Sequence, residues 1–146
     1  ALDFIHSDRS IFKIVDLDEA WAFLNVAQGE TLSNKLVRAG RAMNAGVYFV
    51  TQSSGDVSKE SLKNNIGLKF AFRSTDTNEI KQTLEFFGLD SEDENNQKRL
   101  RDLENGQCLM QDLYGRVGVV QIHPVFVELL HAFDTRPPIK SEVDLE

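Results

Sequence analysis

An apolar run, Ile11-Phe12-Lys13-Ile14-Val15, leads into Asp16-Leu17-Asp18-Glu19-Ala20-Trp21. Two adjacent carboxylates where a buried strand ends suit phosphoryl transfer. An aspartate at the carboxyl end of such a strand faces the crevice where open α/β sheets bind ligands. There it holds Mg²⁺, through water, against the β- and γ-phosphates. A neighbouring glutamate orients or deprotonates the attacking water. Spacing gives Asp18 the metal and Glu19 the water. The same pair also suits a helix start, where carboxylates favour the macrodipole. Asp16 adds a charge where an apolar residue is expected.

Gln52 directly follows a second apolar run, Val47-Tyr48-Phe49-Val50. An amide at the end of the strand beside the Asp-Glu strand can sense the γ-phosphate through the attacking water. Thr51 and Ser53 suit a plain turn, and such a turn would account for Gln52 as well. Arg38 and Arg41 lie at i, i+3 on an expected helix, off its apolar stripe of Leu32, Leu36, Ala39 and Met43. Arginines presented together can stabilise transition-state charge on a neighbouring subunit's nucleotide. A solvated basic face that includes Lys35 is the alternative. Arg73 and Arg116 are further candidates.

These residues need an α/β frame. The expected strands are 11–15, 47–50 and 67–72, with a hairpin of 107–112 and 116–122 across Tyr114-Gly115. The first reads as mostly buried on both faces, because apolar residues hardly alternate with polar ones, and the second as another buried strand. Between them fall a short helical stretch from Glu19 that fades near Gly29, and a helix from Thr31 to Asn44 stopped by Ala45-Gly46. A short helix is expected near 57–64. Asp76 and Glu79 resemble a capping box opening a helix with Ile80, Leu84 and Phe87 on one face, ended by Gly88. Residues 90–97 read as a solvated acidic loop, followed by a helix near 98–104. A last amphipathic helix holds Phe126, Leu129 and Leu130, and an exposed tail starts at Thr135. Strand, helix, strand with buried strands is the βαβ pattern. Residues 1–134 are thus one domain and 135–146 a tail.

The chain has 146 residues and a formal net charge of −7, which opposes gripping nucleic acid by bulk charge. Its single cysteine, Cys108, lies in an apolar stretch and reads as core packing. His6, His123 and His131 lack metal-ligand spacing. No G-x-x-x-x-G-K-S/T loop is present. Without its lysine and backbone N–H groups nothing cradles the phosphates, so the chain as given is not expected to hydrolyse ATP. A non-catalytic α/β interaction module stays open beside the phosphoryl-transfer reading.

The order Leu17-Asp18-Glu19-Ala20-Trp21, Arg38-Ala39-Gly40-Arg41-Ala42-Met43-Asn44-Ala45-Gly46, Thr51-Gln52-Ser53 resembles the VirB-four class of conjugation ATPases. These are RecA-like motors of type IV secretion systems, and the likeness is to the version on Gram-positive conjugative elements. Gly106-Gln107-Cys108-Leu109-Met110-Gln111-Asp112-Leu113-Tyr114-Gly115-Arg116 and Phe133-Asp134-Thr135-Arg136-Pro137-Pro138 look like that family's C-terminal close. The resemblance implies the C-terminal portion of a RecA-like P-loop NTPase three-layer sandwich with a β-hairpin at the sheet edge. It implies ATP and Mg²⁺ as cofactors, Asp18 and Glu19 as the Walker B pair, and Gln52 as the sensor glutamine. Arg38, Arg41 or Arg116 would reach a neighbouring subunit's site. Further implications are a hexamer, contact with type IV secretion channel and coupling proteins, and a peripheral place at the inner face of the cell membrane. The chain departs from the family in lacking the Walker A half.

Overall fold

The computed structural model describes residues 8–57 and 64–132, and for Phe23, Ala27, Glu30, Arg41 and Val57 the backbone alone. Strand β1 (Lys13–Leu17) leads through α1 (Ala20–Leu24), α2 (Ala27–Gly40) and a 3-10 turn (Arg41–Met43) to β2 (Ala45–Phe49). The two strands pair in parallel, with Lys13 opposite Ala45 and Leu17 opposite Phe49, so their carboxyl ends are level. A second 3-10 turn (Ser54–Val57) and β3 (Lys69–Ala71) follow. Then come α3 (Thr77–Phe87), α4 (Glu94–Arg101), β4 (Gln107–Gln111), β5 (Val117–Gln121) and α5 (Val127–Ala132). Strand β4 pairs antiparallel with both β3 and β5. The expected hairpin is therefore present, and it is built onto β3 in a sheet of its own.

One core serves both sheets. Ala20, Leu24, Ile80, Leu84, Phe86, Phe87, Leu100, Leu103 and Leu109 are buried together, with Leu17 and Phe49 packing from the parallel pair and Val117 from the hairpin. Helix α3 supplies the largest share of it, and Ile80, Leu84 and Phe87 form the stripe that their spacing predicts. Gly88 ends this helix at φ 75°, donating to Glu85 O at 3.0 Å, while Leu89 donates to Leu84 O at 2.9 Å. Lys69 is buried yet satisfied, its Nζ donating to Phe86 O at 2.8 Å and lying over the Phe86 ring. Cys108 is buried as expected, and burial pushes its thiol pKa up.

Several expectations are corrected. The parallel strands are not buried on both faces: Ile14 is 52% exposed and Tyr48 51%. Parallel sheets elsewhere are covered on both faces, and two strands with helices on one side leave the other face open. Gly29 does not end a helix but lies buried within α2. The helix ends at Gly40, where an added Cβ would stand 2.8 Å from Ala45 O; the chain then tightens to 3-10 and turns at Asn44, φ 52°. Ala45 and Gly46 already belong to β2. The acidic stretch 90–97 is half helix: Asp93 caps α4 by accepting from Asn95 N–H at 2.8 Å, and Glu94 lies in its first turn. Helix α5 buries none of its residues, and Phe126 is 66% exposed. Most of the helix expected near 57–64, His6 and the tail from Thr135 lie outside the described residues.

Candidate active site

The level ends of β1 and β2 bring the acidic pair and the glutamine to one place. Val50 N–H donates to Leu17 O at 3.0 Å, carrying the pairing past the last strand residues. The chain then turns sharply: Glu19 has φ 51°, a left-handed conformation that costs a glutamate about 1–3 kcal/mol. Three bonds hold it there. Glu19 N–H donates to Asp18 Oδ1 at 2.9 Å, Ala20 N–H to Val50 O at 2.9 Å, and Ala22 N–H to Glu19 O at 3.0 Å. The turn thus aims the Glu19 side chain toward the end of β2.

There Gln52 Nε2 donates to Glu19 Oε1 at 2.9 Å. Trp21 Nε1 donates to the other carboxylate oxygen, Oε2. Glu19 and Gln52 are both exposed, so water reaches the pair. A carboxylate held on both oxygens by neutral donors is oriented but not neutralised, which suits a group that must still accept a proton. Asp18 is exposed beside it, with its carboxylate turned onto the Glu19 amide. A single aspartate matches the way Mg²⁺ is usually held, by one or two carboxylates, waters and substrate phosphates. No group of three or more His, Cys, Asp or Glu residues among those described could hold a metal by itself.

The loop carrying Gln52 is pinned at several points. Thr51 Oγ1 donates to Asp56 Oδ2 at 2.7 Å, closing the loop on itself. Glu79, in the first turn of α3, accepts from Ser53 Oγ at 2.8 Å and from Ser54 N–H at 2.7 Å. The capping box expected here is therefore half made. Asp76 accepts from Glu79 N–H at 2.9 Å, as an N-cap should, while the Glu79 carboxylate reaches across to the loop. Sequence reasoning assigned no site role to Trp21 or Glu79. A signal existed for Glu79: the polar run Thr51-Gln52-Ser53-Ser54 leaves backbone N–H groups that must find acceptors.

Among the described residues, no hydrogen bond or ion pair joins Arg38, Arg73 or Arg116 to Asp18, Glu19 or Gln52. Arg38 is exposed near the end of α2. Arg41 opens the following 3-10 turn, so the two do not share one α-helix as expected, and the Arg41 side chain lies outside the described residues. Arg73 is exposed beyond β3. Arg116 sits at the hairpin turn, its Nε 2.6 Å from Asp112 Oδ2 and its guanidinium 5.3 Å from the Tyr114 ring. Partial desolvation opposes ionisation of Asp112. The Arg116 N–H and guanidinium, with the Tyr114 N–H, outweigh it and hold the carboxyl below its ordinary pKa. No helix among the described residues is long and apolar enough to cross a membrane.

The chain is 34% identical over 119 residues to an uncharacterized protein, YddE, of Bacillus subtilis (strain 168), covering 82% of this chain. It spans only 14% of that relative's length. Its fold is similar to that of the genome packaging NTPase B204 of Sulfolobus turreted icosahedral virus 2, solved in complex with ATP-gammaS. That likeness has a TM-score of 0.59 at 15% identity and covers 76% of this chain and 52% of the other. Mixed α/β architecture with a parallel pair and an antiparallel sheet is thus part of a RecA-like P-loop NTPase fold. Residues 1–133 match the AAA-like domain family, and the chain belongs to it.

Proposed function

We propose that this chain is the water-activating half of an ATP-hydrolysing motor domain. The observation that carries the reading is the hydrogen bond from Gln52 Nε2 to Glu19 Oε1 at 2.9 Å, at the level ends of two parallel strands. Glu19 accepts the proton of the attacking water, and the free acceptor oxygen of the Gln52 amide orients that water. Asp18 contributes the carboxylate for Mg²⁺. When bound, MgATP supplies the γ-phosphoryl group and the positive charge that offsets its oxygens. The phosphate cradle is not encoded here, so hydrolysis belongs to the longer protein that carries this sequence.

The order of motifs supports a finer reading, a motor of the VirB-four class driving conjugative transfer through a type IV secretion system. In it the subunits form a hexamer at the inner face of the membrane, beside the channel and coupling proteins. Arg38, Arg41 or Arg116 then acts on the nucleotide of the next subunit, and DNA is handled only indirectly.

The test is hydrolysis of MgATP by the full-length protein, wild type beside Glu19→Gln. Glutamine keeps the shape of the side chain and the same left-handed backbone, while removing the proton acceptor together with one of the two oxygens that Gln52 and Trp21 donate to. Expected is a fall in kcat of roughly 10²–10⁴-fold with ATP binding retained. An unchanged rate overturns the reading. In cells with an intact transfer apparatus the same substitution should abolish DNA transfer, and transfer at wild-type frequency removes the conjugation assignment alone.

A further inference from the structure

Glu79 belongs to neither parallel strand, yet its carboxylate takes two short hydrogen bonds from the dipeptide that follows Gln52. Thr83, one turn on, donates to Ser54 Oγ at 3.2 Å and lies 3.5 Å from Glu79 Oε1. Bonds to an ionised acceptor are about twice as strong as neutral ones, and these are part-buried. The helix that carries Glu79 is itself fixed, by the Asp76 cap and by Ile80, Leu84 and Phe87 in the core. Helix capping accounts for Asp76 but not for a Glu79 side chain that bonds 25 residues away.

We propose that Glu79 is a positioning residue for the water-activating pair. By clamping Ser53 and Ser54 it holds the Gln52 amide on Glu19, and it links that amide to the helix above the antiparallel sheet. A displacement of α3 draws the Gln52 loop with it, so the second sheet and its neighbours gain a handle on hydrolysis. This rests on the hydrolysis reading for its kinetic consequence.

The experiment uses the full-length protein with MgATP and the variants Glu79→Ala and Glu79→Gln, each alone and combined with Gln52→Ala. Glu79→Ala should lower kcat roughly 10- to 100-fold through misplacement of Gln52, with KM changed by no more than about twofold. Glu79→Gln keeps one acceptor for the Ser54 N–H and should recover most of the loss. In the Gln52→Ala background, Glu79→Ala should add little, because both act through one side chain. Fully additive losses, or a raised KM with unchanged kcat, overturn the proposal. Backbone hydrogen exchange across residues 50–56 gives a readout independent of activity. Faster exchange there in Glu79→Ala, but not across β4 and β5, establishes the clamp even if Glu19→Gln shows the hydrolysis reading to be wrong. Unchanged exchange removes the clamp whatever the kinetics.

Discussion

Glu19 stands in a backbone conformation that few glutamates adopt, and its two carboxylate oxygens are taken by different donors. Strain of this kind persists where surrounding contacts hold it, and such places cluster at functional sites. The Trp21 indole is the donor open to a clean test, since phenylalanine keeps most of the ring and removes the N–H. Trp21→Phe in the full-length protein should lower kcat about 3- to 10-fold, the equivalent of one neutral hydrogen bond, with ATP affinity kept. Steady-state kinetics with a nucleotide titration checks it. Arg116 shows the contrast of a satisfied surface pair. Because Asp112 has its pKa depressed, its pairing supports the hairpin turn fully above the ordinary carboxylate pKa, and that support is lost as pH falls from there through the depressed folded-state value. An ion pair this exposed contributes little to stability.

At the level of elements, the site depends on β1 and β2 ending together, and the α2–β2 connection sets that register. Gly40 is the tight point. Its backbone is right-handed helical, φ −52°, so alanine would adopt it freely and in an open helix would gain about 0.5–1 kcal/mol. Here the added Cβ would meet the Ala45 carbonyl oxygen at 2.8 Å, and a backbone atom cannot swing away. Overpacking wins: Gly40→Ala should destabilise by about 1–3 kcal/mol, read as a lower urea midpoint with unchanged slope. A neutral or stabilising result would mean the connection yields, and the strand ends would not be held level by it.

At the scale of the whole molecule, the described residues form one core with two sheets on it. Leu84 is fully buried in α3, where residues from the parallel pair and from the hairpin converge. Leu84→Ala should cost about 2–5 kcal/mol. Because the core is shared, Trp21 fluorescence, which reports on the parallel pair, should shift its unfolding midpoint together with far-ultraviolet circular dichroism. Separate midpoints would show two independent units. Ile11, Phe12, Ile14 and Tyr48 stay exposed around that pair, each more than half accessible. That is why a sequence that reads as buried strands is only partly covered within these residues.

What the sequence determined by itself was local. An apolar run ending in Asp18-Glu19, another ending before Gln52, the α3 stripe and the Tyr114-Gly115 turn are each written in neighbouring residues, because strand, helix and turn preferences act over a few positions. The tertiary structure decided what depends on distant partners. It placed Gln52 on Glu19 across 33 residues, gave β3 to the hairpin, and sent Glu79 to the Gln52 loop instead of its own helix cap. A carboxylate three residues after an aspartate looks the same in sequence whether it bonds locally or far away. Which acceptor it serves is settled only when packing brings unsatisfied N–H groups within reach.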